Sequence, residues 1–370
     1  MEELIHPSAL SVIKNKLMVH FSTEEYCLCS QDHFVFSYHY KSQKLQQVCK
    51  IPPVNNQLPT VLKDKIRRSA LARSLSDSMG LGHVVQLPNG TIIIIYDKVY
   101  RYSADNKGKV AQPIFDLKKH KVQPPLRNGI GVHPRSNNAY FGEYVNGIKR
   151  AVRIFRIADN GERCEVCHTF KEGEIKHVHG IFWDKYRQRF WITTGDADNE
   201  SHFYFTDNEF KTVHKFRGGD QSWRAVSLII TEHHLVWGMD AGKDAPAEAI
   251  NHVYRLNLAT DKREQVATIG NPAYHMVQTV SGAIIMGVTF EPGRKQATKE
   301  EACLYYSETG EHWQLLASFP YQKLGLTGRS QYAYLFPPSG VIPDNELIFT
   351  PINVEQHDAK TLSIQLPTNN

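Results

Sequence analysis

The feature that most constrains the fold of this chain is a hairpin that keeps returning. Residues 177–196, HVHGIFWDKYRQRFWITTGD, run from a His-x-His through an apolar segment to a polar turn at 184–189, then through a second apolar segment ending in Gly195-Asp196. Antiparallel pairing sets the start of the first strand beside the end of the second, so His179 and Asp196 are expected at one end of the hairpin. The layout recurs in GHVVQLPNGTIIIIYD (82–97), NGIGVHPRSNNAYFGE (128–143), RAVSLIITEHHLVWGMD (224–240), HMVQTVSGAIIMGVTFE (275–291) and, most weakly, YLFPPSGVIPDNELIFT (334–350). Aligned on His83, Asn128, His179, Arg224, His275 and Tyr334, the copies are spaced by 45, 51, 45, 51 and 59 residues.

Self-similarity at this period, with about four short strands per repeat, predicts an all-β chain folded as a β-propeller. Residues 11–51 (SVIKNKLMVHF, YCLCS, HFVFSYHY, LQQVCKI) add another four-stranded unit. The total is about seven blades. Six is the second choice, with part of the N-terminal segment forming an extra sheet. The last copy is short of one strand, which the N-terminal segment is expected to supply, closing the ring. An antiparallel sandwich would need no polar residue at the same phase of each repeat. One domain is expected over 1–370, interrupted at 52–80. There PPVNNQLPT reads as a loop, and VLKDKIRRSALARSL (61–75) sets Val61, Leu62, Ile66, Ala70, Leu71 and Leu75 near helical spacing among basic residues. This predicts a short inter-blade helix, either a connector packed on the body of the fold or a basic lid or docking element.

Charge and cysteine usage narrow the function classes. The net charge of +5 over 370 residues does not point to nucleic acid, but leaves an acidic small molecule or polyanionic sugar open. There is no apolar run of transmembrane length, and the acidic start MEELIHPSAL lacks a signal-type apolar stretch, so a cytoplasmic chain is expected. Cys27, Cys29, Cys49, Cys164, Cys167 and Cys303 are sparse and read as free thiols; Cys164-x-x-Cys167 is expected as thiols of an outer strand rather than a redox or zinc motif. No phosphate loop or dinucleotide fingerprint is visible, and no G-x-S-x-G elbow.

The stretch HVHGIFWD…WITTGD…QSWRAVSLI…LVWGMD resembles the sialidase-like (BNR, Asp-box) propeller superfamily, over most of residues 80–320. Against the box pattern Ser-x-Asp-x-Gly-x-Thr-Trp, Ser307-Glu308-Thr309-Gly310-Glu311-His312-Trp313 keeps Ser, Gly and Trp and lacks the Asp; Thr206-Asp207-Asn208-Glu209-Phe210 is a fainter trace. Such boxes are turns of the outer hairpin, so the resemblance implies fold rather than activity. The Arg-Ile-Pro motif of sialidases is absent. The resemblance therefore implies a carbohydrate-associated propeller, chemically closer to propeller lyases and glycosidases that use His, Tyr and Arg than to sialidases.

In a propeller the first strand of each unit lines the central channel. His83, Asn128, His179, Arg224, His275 and Tyr334 are accordingly expected as a ring at one mouth. The second strands end at Asp97, Glu143, Asp196, Asp240 and Glu291, expected behind that ring. The catalytic candidates are His179, Arg224, His275, Asp196, Asp240 and Tyr334; the substrate-binding candidates are His83, Arg127, Asn128, Glu143, His177 and Trp223. Trp223 is the tryptophan expected as a sugar platform, whereas Trp183, Trp191 and Trp237 are expected in the core. No cofactor is required by any motif. The alternative is a divalent metal, Zn²⁺ or Mn²⁺, at His177 and His179, which stand i, i+2 on one strand.

The expected function is a propeller that acts on or binds an acidic glycan in its axial pocket. As a uronate lyase, Arg224, or Arg127, would neutralise the carboxylate, His179 or His275 would take the proton, and Tyr334 or the other His would protonate the leaving oxygen. As a glycoside hydrolase, two of Asp196, Asp240, Glu143 and Glu291 would be acid and base or nucleophile. The alternative is a non-catalytic glycan-binding or scaffold propeller in surface-polysaccharide biosynthesis. A WD40-type interaction propeller ranks last, because the repeats lack Gly-His and Trp-Asp signatures.

Overall fold

In the computed structural model, which describes residues 10–52, 81–147, 149–296, 298–323 and 331–367, strands follow one another with almost no helix between them. The predicted helix 61–75, and all of the 52–80 insertion except Pro52, lie outside these residues. A turn at Lys16 separates β1 (Ser11–Asn15) from β2 (Met18–Ser22), β3 (Tyr26–Gln31), β4 (Phe34–His39) and β5 (Lys44–Lys50). Then come β6 (His83–Gln86), β7 (Ile92–Ile95), β8 (Lys98–Tyr102) and β9 (Gln112–Asp116), followed by β10 (Ile130–Val132), β11 (Ala139–Gly142), β12 (Val152–Ala158) and β13 (Arg163–Phe170). The next groups are β14 (His177–Asp184), β15 (Arg189–Gly195), β16 (His202–Thr206) and β17 (His214–Gly218), and β18 (Ile229–Ile230), β19 (His234–Gly238), β20 (Asn251–Asn257) and β21 (Lys262–Gly270). The chain ends with β22 (Ala273–Thr279), β23 (Ile284–Val288), β24 (Glu301–Ser307), β25 (Gln314–Pro320), β26 (Tyr334–Phe336), β27 (Ser339–Ile342), β28 (Glu346–Ile352) and β29 (Lys360–Gln365). Helix among the described residues is confined to short 3₁₀ turns, and none is long and apolar enough to cross a membrane.

The arrangement is a β-propeller of four-stranded antiparallel meanders. Five sheets stand alone, rather than the seven or six expected: β6–β9, β10–β13, β14–β17, β18–β21 and β26-β28-β29-β1. The remaining runs, β2–β5 and β22–β25, are joined through β27 into one nine-stranded sheet. β27 lies parallel to both inner strands, pairing Ser339 with Phe21 and Val341 with Gln278. The N-terminal strand closes the ring as expected: β1 adds to β29 with Ser11 opposite Ser363.

Apolar runs at the second position of each unit account for the stacking. β7 is Ile-Ile-Ile-Ile, buried throughout, because both faces of its sheet are covered by neighbours. Ile93, Ile95 and Val99 meet Phe141 and Phe155 of the next sheet; Tyr140 and Ile154 meet Val178 and Phe190; Phe203 and Trp191 meet Leu235 and Trp237. The box-like segment at Ser307–Trp313 is the turn of the outer β24–β25 hairpin, where the Ser307 hydroxyl accepts the Gly310 N–H at 2.9 Å and the indole N–H of Trp313 donates to the Gly310 carbonyl at 3.2 Å. All six cysteines are free thiols, and Cys164 and Cys167 lie on outer strand β13.

Three inner strands carry a β-bulge near their start. Pairing jumps over His20 in β2, His179 in β14 and Tyr274 in β22. A bulge re-aims the extra residue and bends the strand, and all three side chains lie at the mouth described below. The inner hairpins also need close approach between sheets. A Cβ on Gly142 would sit 2.4 Å from Cβ of Val178, whose N–H donates to the Glu143 carbonyl at 3.1 Å. Gly142→Ala should therefore push β14 off β11 and destabilise the protein by about 1–3 kcal/mol, the usual cost of overpacking, measured by denaturant unfolding.

Candidate functional site

The inner strands deliver an unequal set of groups to one mouth. On β14, the bulge and the small Gly195 let the His179 ring lie flat against the neighbouring strand; a Cβ at position 195 would meet His179 Cε1 at 2.3 Å. Nε2 of His177 and Nε2 of His179 are 3.1 Å apart and lie 3.1 and 3.2 Å from Asp196 Oδ1. Both imidazoles are buried. Each Nδ1 faces a main-chain carbonyl, Val145 for His177 at 2.9 Å and Ala225 for His179 at 3.1 Å. A carbonyl oxygen only accepts, so both Nδ1 atoms carry the proton. The two Nε2 lone pairs and a carboxylate oxygen thus converge with no proton to share. Such a donor set fits a divalent cation: nitrogen and oxygen ligands at the spacing of neighbours around one ion, each imidazole oriented by an outer carbonyl. Burial opposes the charge on Asp196, but the carboxyl is held below the ordinary range, with the Arg224 guanidinium as the cation beside it. Lys176 adds an ion pair to Asp196 Oδ2.

Arg224 is fully committed. Its guanidinium lies 3.3 Å from Asp196 Oδ1, 3.4 Å from Asp240 Oδ2 and 3.0 Å from Asp244 Oδ1. Asp240 is buried behind it, with Oδ1 lacking a partner, and burial raises its pKa well above the usual value despite Arg224.

Arg127 is the opposite case. Among the described residues it has no carboxylate within ion-pair distance. Its Nη1 lies 3.3 Å from His20 Nδ1, and its guanidinium stacks 4.9 Å from the centre of the Phe336 ring. Burial lowers it to about 10. The groups around it are neutral histidines: burial and then Arg127 push His83 and His275 to about 3, and the same causes take His20 well below its ordinary value.

A cavity of about 490 Å³ brings Arg127, Asp196, Arg224, His275 and Tyr334 together, with His177 and His179 directly behind Asp196. One wall is aromatic: Tyr332 just before β26 is followed on it by Tyr334 and Phe336 at alternate positions, and the Tyr334 and Phe336 rings stack at 5.1 Å. Tyr144 stacks on His177 at 4.0 Å, and burial raises its pKa, so its hydroxyl stays protonated. His275 lies 5.1 Å from Phe336, its Nδ1 buried without a hydrogen-bond partner.

Other sequence candidates lie elsewhere. His83 sits beside Arg127 outside this cavity, lining a small neighbouring hollow. The Asn128 amide donates to the Pro337 carbonyl at 3.2 Å, and the residue lines an apolar cavity deeper in the channel. Asp240 is sealed behind Arg224. Glu143 does not face ligand: Arg150, Arg153 and the Gln123 N–H take its oxygens. Trp223 is not a platform but is buried against Trp237 and Phe203, because it closes the aromatic core between two sheets. The sequence reading missed His20, Tyr144, Lys243, Asp244, Tyr274, Tyr332 and Phe336.

No family model and no curated protein matches this chain. Solved structures do. An oligogalacturonate lyase in complex with manganese superimposes with a TM-score of 0.60 at 10% identity, covering 99% of this chain and 95% of that one. The oligogalacturonate lyase of Vibrio parahaemolyticus gives 0.57 at 10% identity over 98% and 95%. The GH74 enzyme of Niastella koreensis gives 0.53 at 10% identity over 83% of this chain, which spans only 46% of that one. The likeness establishes the propeller fold. At such identity it assigns no activity.

The buried histidines make acid stability a test of the geometry. Unfolded His275 takes its proton near 6.5, whereas folded His275 takes it only near 3. The unfolded state therefore binds more protons in that window, and stability falls as pH drops through it. His275→Asn should flatten the dependence of unfolding free energy on pH between these limits by up to about 1.4 kcal/mol per pH unit, read from denaturant melts.

Proposed function

We propose that the axial cavity binds an acidic glycan and cleaves it by β-elimination at a uronate. The observation that carries this reading is Arg127, a guanidinium facing the cavity with aromatic and neutral imidazole neighbours and, among the described residues, no carboxylate of its own. A planar carboxylate on a sugar stacked against Tyr334 and Phe336 supplies the missing countercharge, and two parallel N–H···O bonds suit it. Arg224, the first sequence candidate for this role, is already held by Asp196, Asp240 and Asp244.

Elimination then needs few groups. Arg127 pairs with the substrate carboxylate and lowers the cost of charge building up beside C5. His275, neutral at ordinary pH, takes the C5 proton. The C5–H electron pair becomes the C4–C5 double bond as the C4–O bond breaks. Tyr334 or Tyr144 protonates the departing oxygen. Docking a carboxylate on Arg127 also offsets the cation that helps depress His275, making the base stronger when substrate is present. A divalent ion such as Mn²⁺ or Zn²⁺, held by His177, His179 and Asp196, would supply Lewis-acid charge at the same mouth. Hydrolysis by paired carboxylates is less well supported. Asp196 is shared among two imidazoles, Lys176 and Arg224, while Glu291 takes the Tyr274 hydroxyl and the Lys243 N–H.

Incubation with a panel of uronate oligosaccharides should give an unsaturated product, detected by ultraviolet absorbance and mass. Arg127→Gln should reduce turnover about a hundredfold or more, with stability unchanged or raised because an uncompensated cation is removed. Binding without any product would assign the propeller as a glycan-binding protein instead. Arg224→Met should behave differently, destabilising by about 3–5 kcal/mol because the buried Asp196 carboxylate loses a cationic partner. Calorimetric titration with Mn²⁺ should show one site that His179→Ala removes. Equal affinity in that variant would overturn the metal assignment.

A further inference from the structure

Beside the main cavity lies a second one of about 270 Å³ whose wall is basic. The two share a partition. Asn146 lines the larger cavity and Gly147 the smaller, while Lys176 lines the smaller and pairs with Asp196 in the larger. The annex presents Lys149, Arg150 and Lys176 against a single carboxylate, Glu200. Its positive charge is not cancelled from behind. Glu143 serves both Arg150 and Arg153, at 2.7 and 2.8 Å, so one carboxylate is divided between two guanidinium groups. Lys176 shares Asp196 with Arg224. Lys149 is exposed at the rim. Glu200 is itself occupied, its Oε2 accepting the Ala197 N–H at 3.2 Å. The annex wall therefore keeps a surplus of positive charge, in a pocket large enough to hold part of a sugar and separated from the main cavity only by the Lys176–Asp196 partition.

We propose that the annex is a subsite for a second anionic residue of the same glycan chain. The ligand is then an oligosaccharide with repeated acidic units, not a single uronate. This rests on the acidic-glycan reading of the main cavity and adds chain length to it. A neighbouring carboxylate placed in the annex gains charge-assisted hydrogen bonds from Lys149 and Arg150 that a monosaccharide docked on Arg127 does not reach. Linking the two contacts in one ligand raises affinity without a new site elsewhere.

The test is calorimetric titration of the whole protein with a ladder of galacturonate oligomers from the monomer upward, with a neutral oligosaccharide of matching length as control. Affinity should rise with chain length for the acidic series only, and the rise should shrink with added salt. Lys149→Glu should weaken the longest acidic oligomer by about tenfold or more, the effect of one charge-assisted hydrogen bond, and leave the monomer unchanged. Equal affinity for monomer and oligomer would overturn the subsite while leaving the main cavity's reading intact. So would a Lys149→Glu variant that weakens both alike. If no acidic sugar of any length binds, the reading of Arg127 fails and the subsite fails with it.

Discussion

Each four-stranded sheet here is apolar on both faces and is buried only by its two neighbours. The fold can satisfy that demand only by going round in a ring and closing, which it does by laying β1 on β29 and by threading β27 between β2 and β22. Everything at the site follows from this closure. Once the sheets stack radially, their inner strands must start at the same mouth, and whatever polar residue begins each strand is carried there. Bulges at His20, His179 and Tyr274 then turn those side chains inward.

Charge decides what the assembled mouth can do. Two arginines stand there, and they differ in their company rather than their chemistry. Arg224 is surrounded by Asp196, Asp240 and Asp244, and its work is internal: it permits acids to stay buried around the histidine pair. Arg127 is surrounded by neutral imidazoles and Phe336, and its charge remains available. An unbalanced guanidinium in low-dielectric surroundings costs folding stability, a cost that natural proteins tolerate where binding or chemistry uses it.

Much of the architecture was legible in the chain because hairpin phase survives where sequence motifs fade. The period, the closing strand and the meeting of His177, His179 and Asp196 all follow from counting strands. His20 escaped because SVIKNKLMVHF looks like one strand until the turn at Lys16 divides it in two. Tyr332 and Phe336 were visible as the alternation Tyr-Ala-Tyr-Leu-Phe, but only Tyr334 coincided with the repeat. Arg224 ranks ahead of Arg127 in the sequence because it holds a repeat position, and the reverse order depends on which acids surround each guanidinium, including Asp244, a loop residue with no repeat position. Trp223 misled for a related reason: adjacency to a mouth residue says nothing of which way the next side chain turns, and here it turns into the aromatic core. The division into separate sheets was also illegible, because β27 makes its bridges through backbone groups that carry no side-chain signature.

The carbonyls that orient the two histidines come from different sheets. His177 and His179 belong to the β14–β17 unit, yet their Nδ1 protons are held by Val145, which follows β11, and by Ala225, which precedes β18. Three consecutive units therefore meet in one pair of imidazole rings. Sliding either neighbour by a single residue would withdraw its carbonyl and free that ring to take the other tautomer, scattering the convergent lone pairs. The histidine pair is in this sense a gauge of alignment between sheets: it has its ligand-ready form only while the ring around it is correctly assembled.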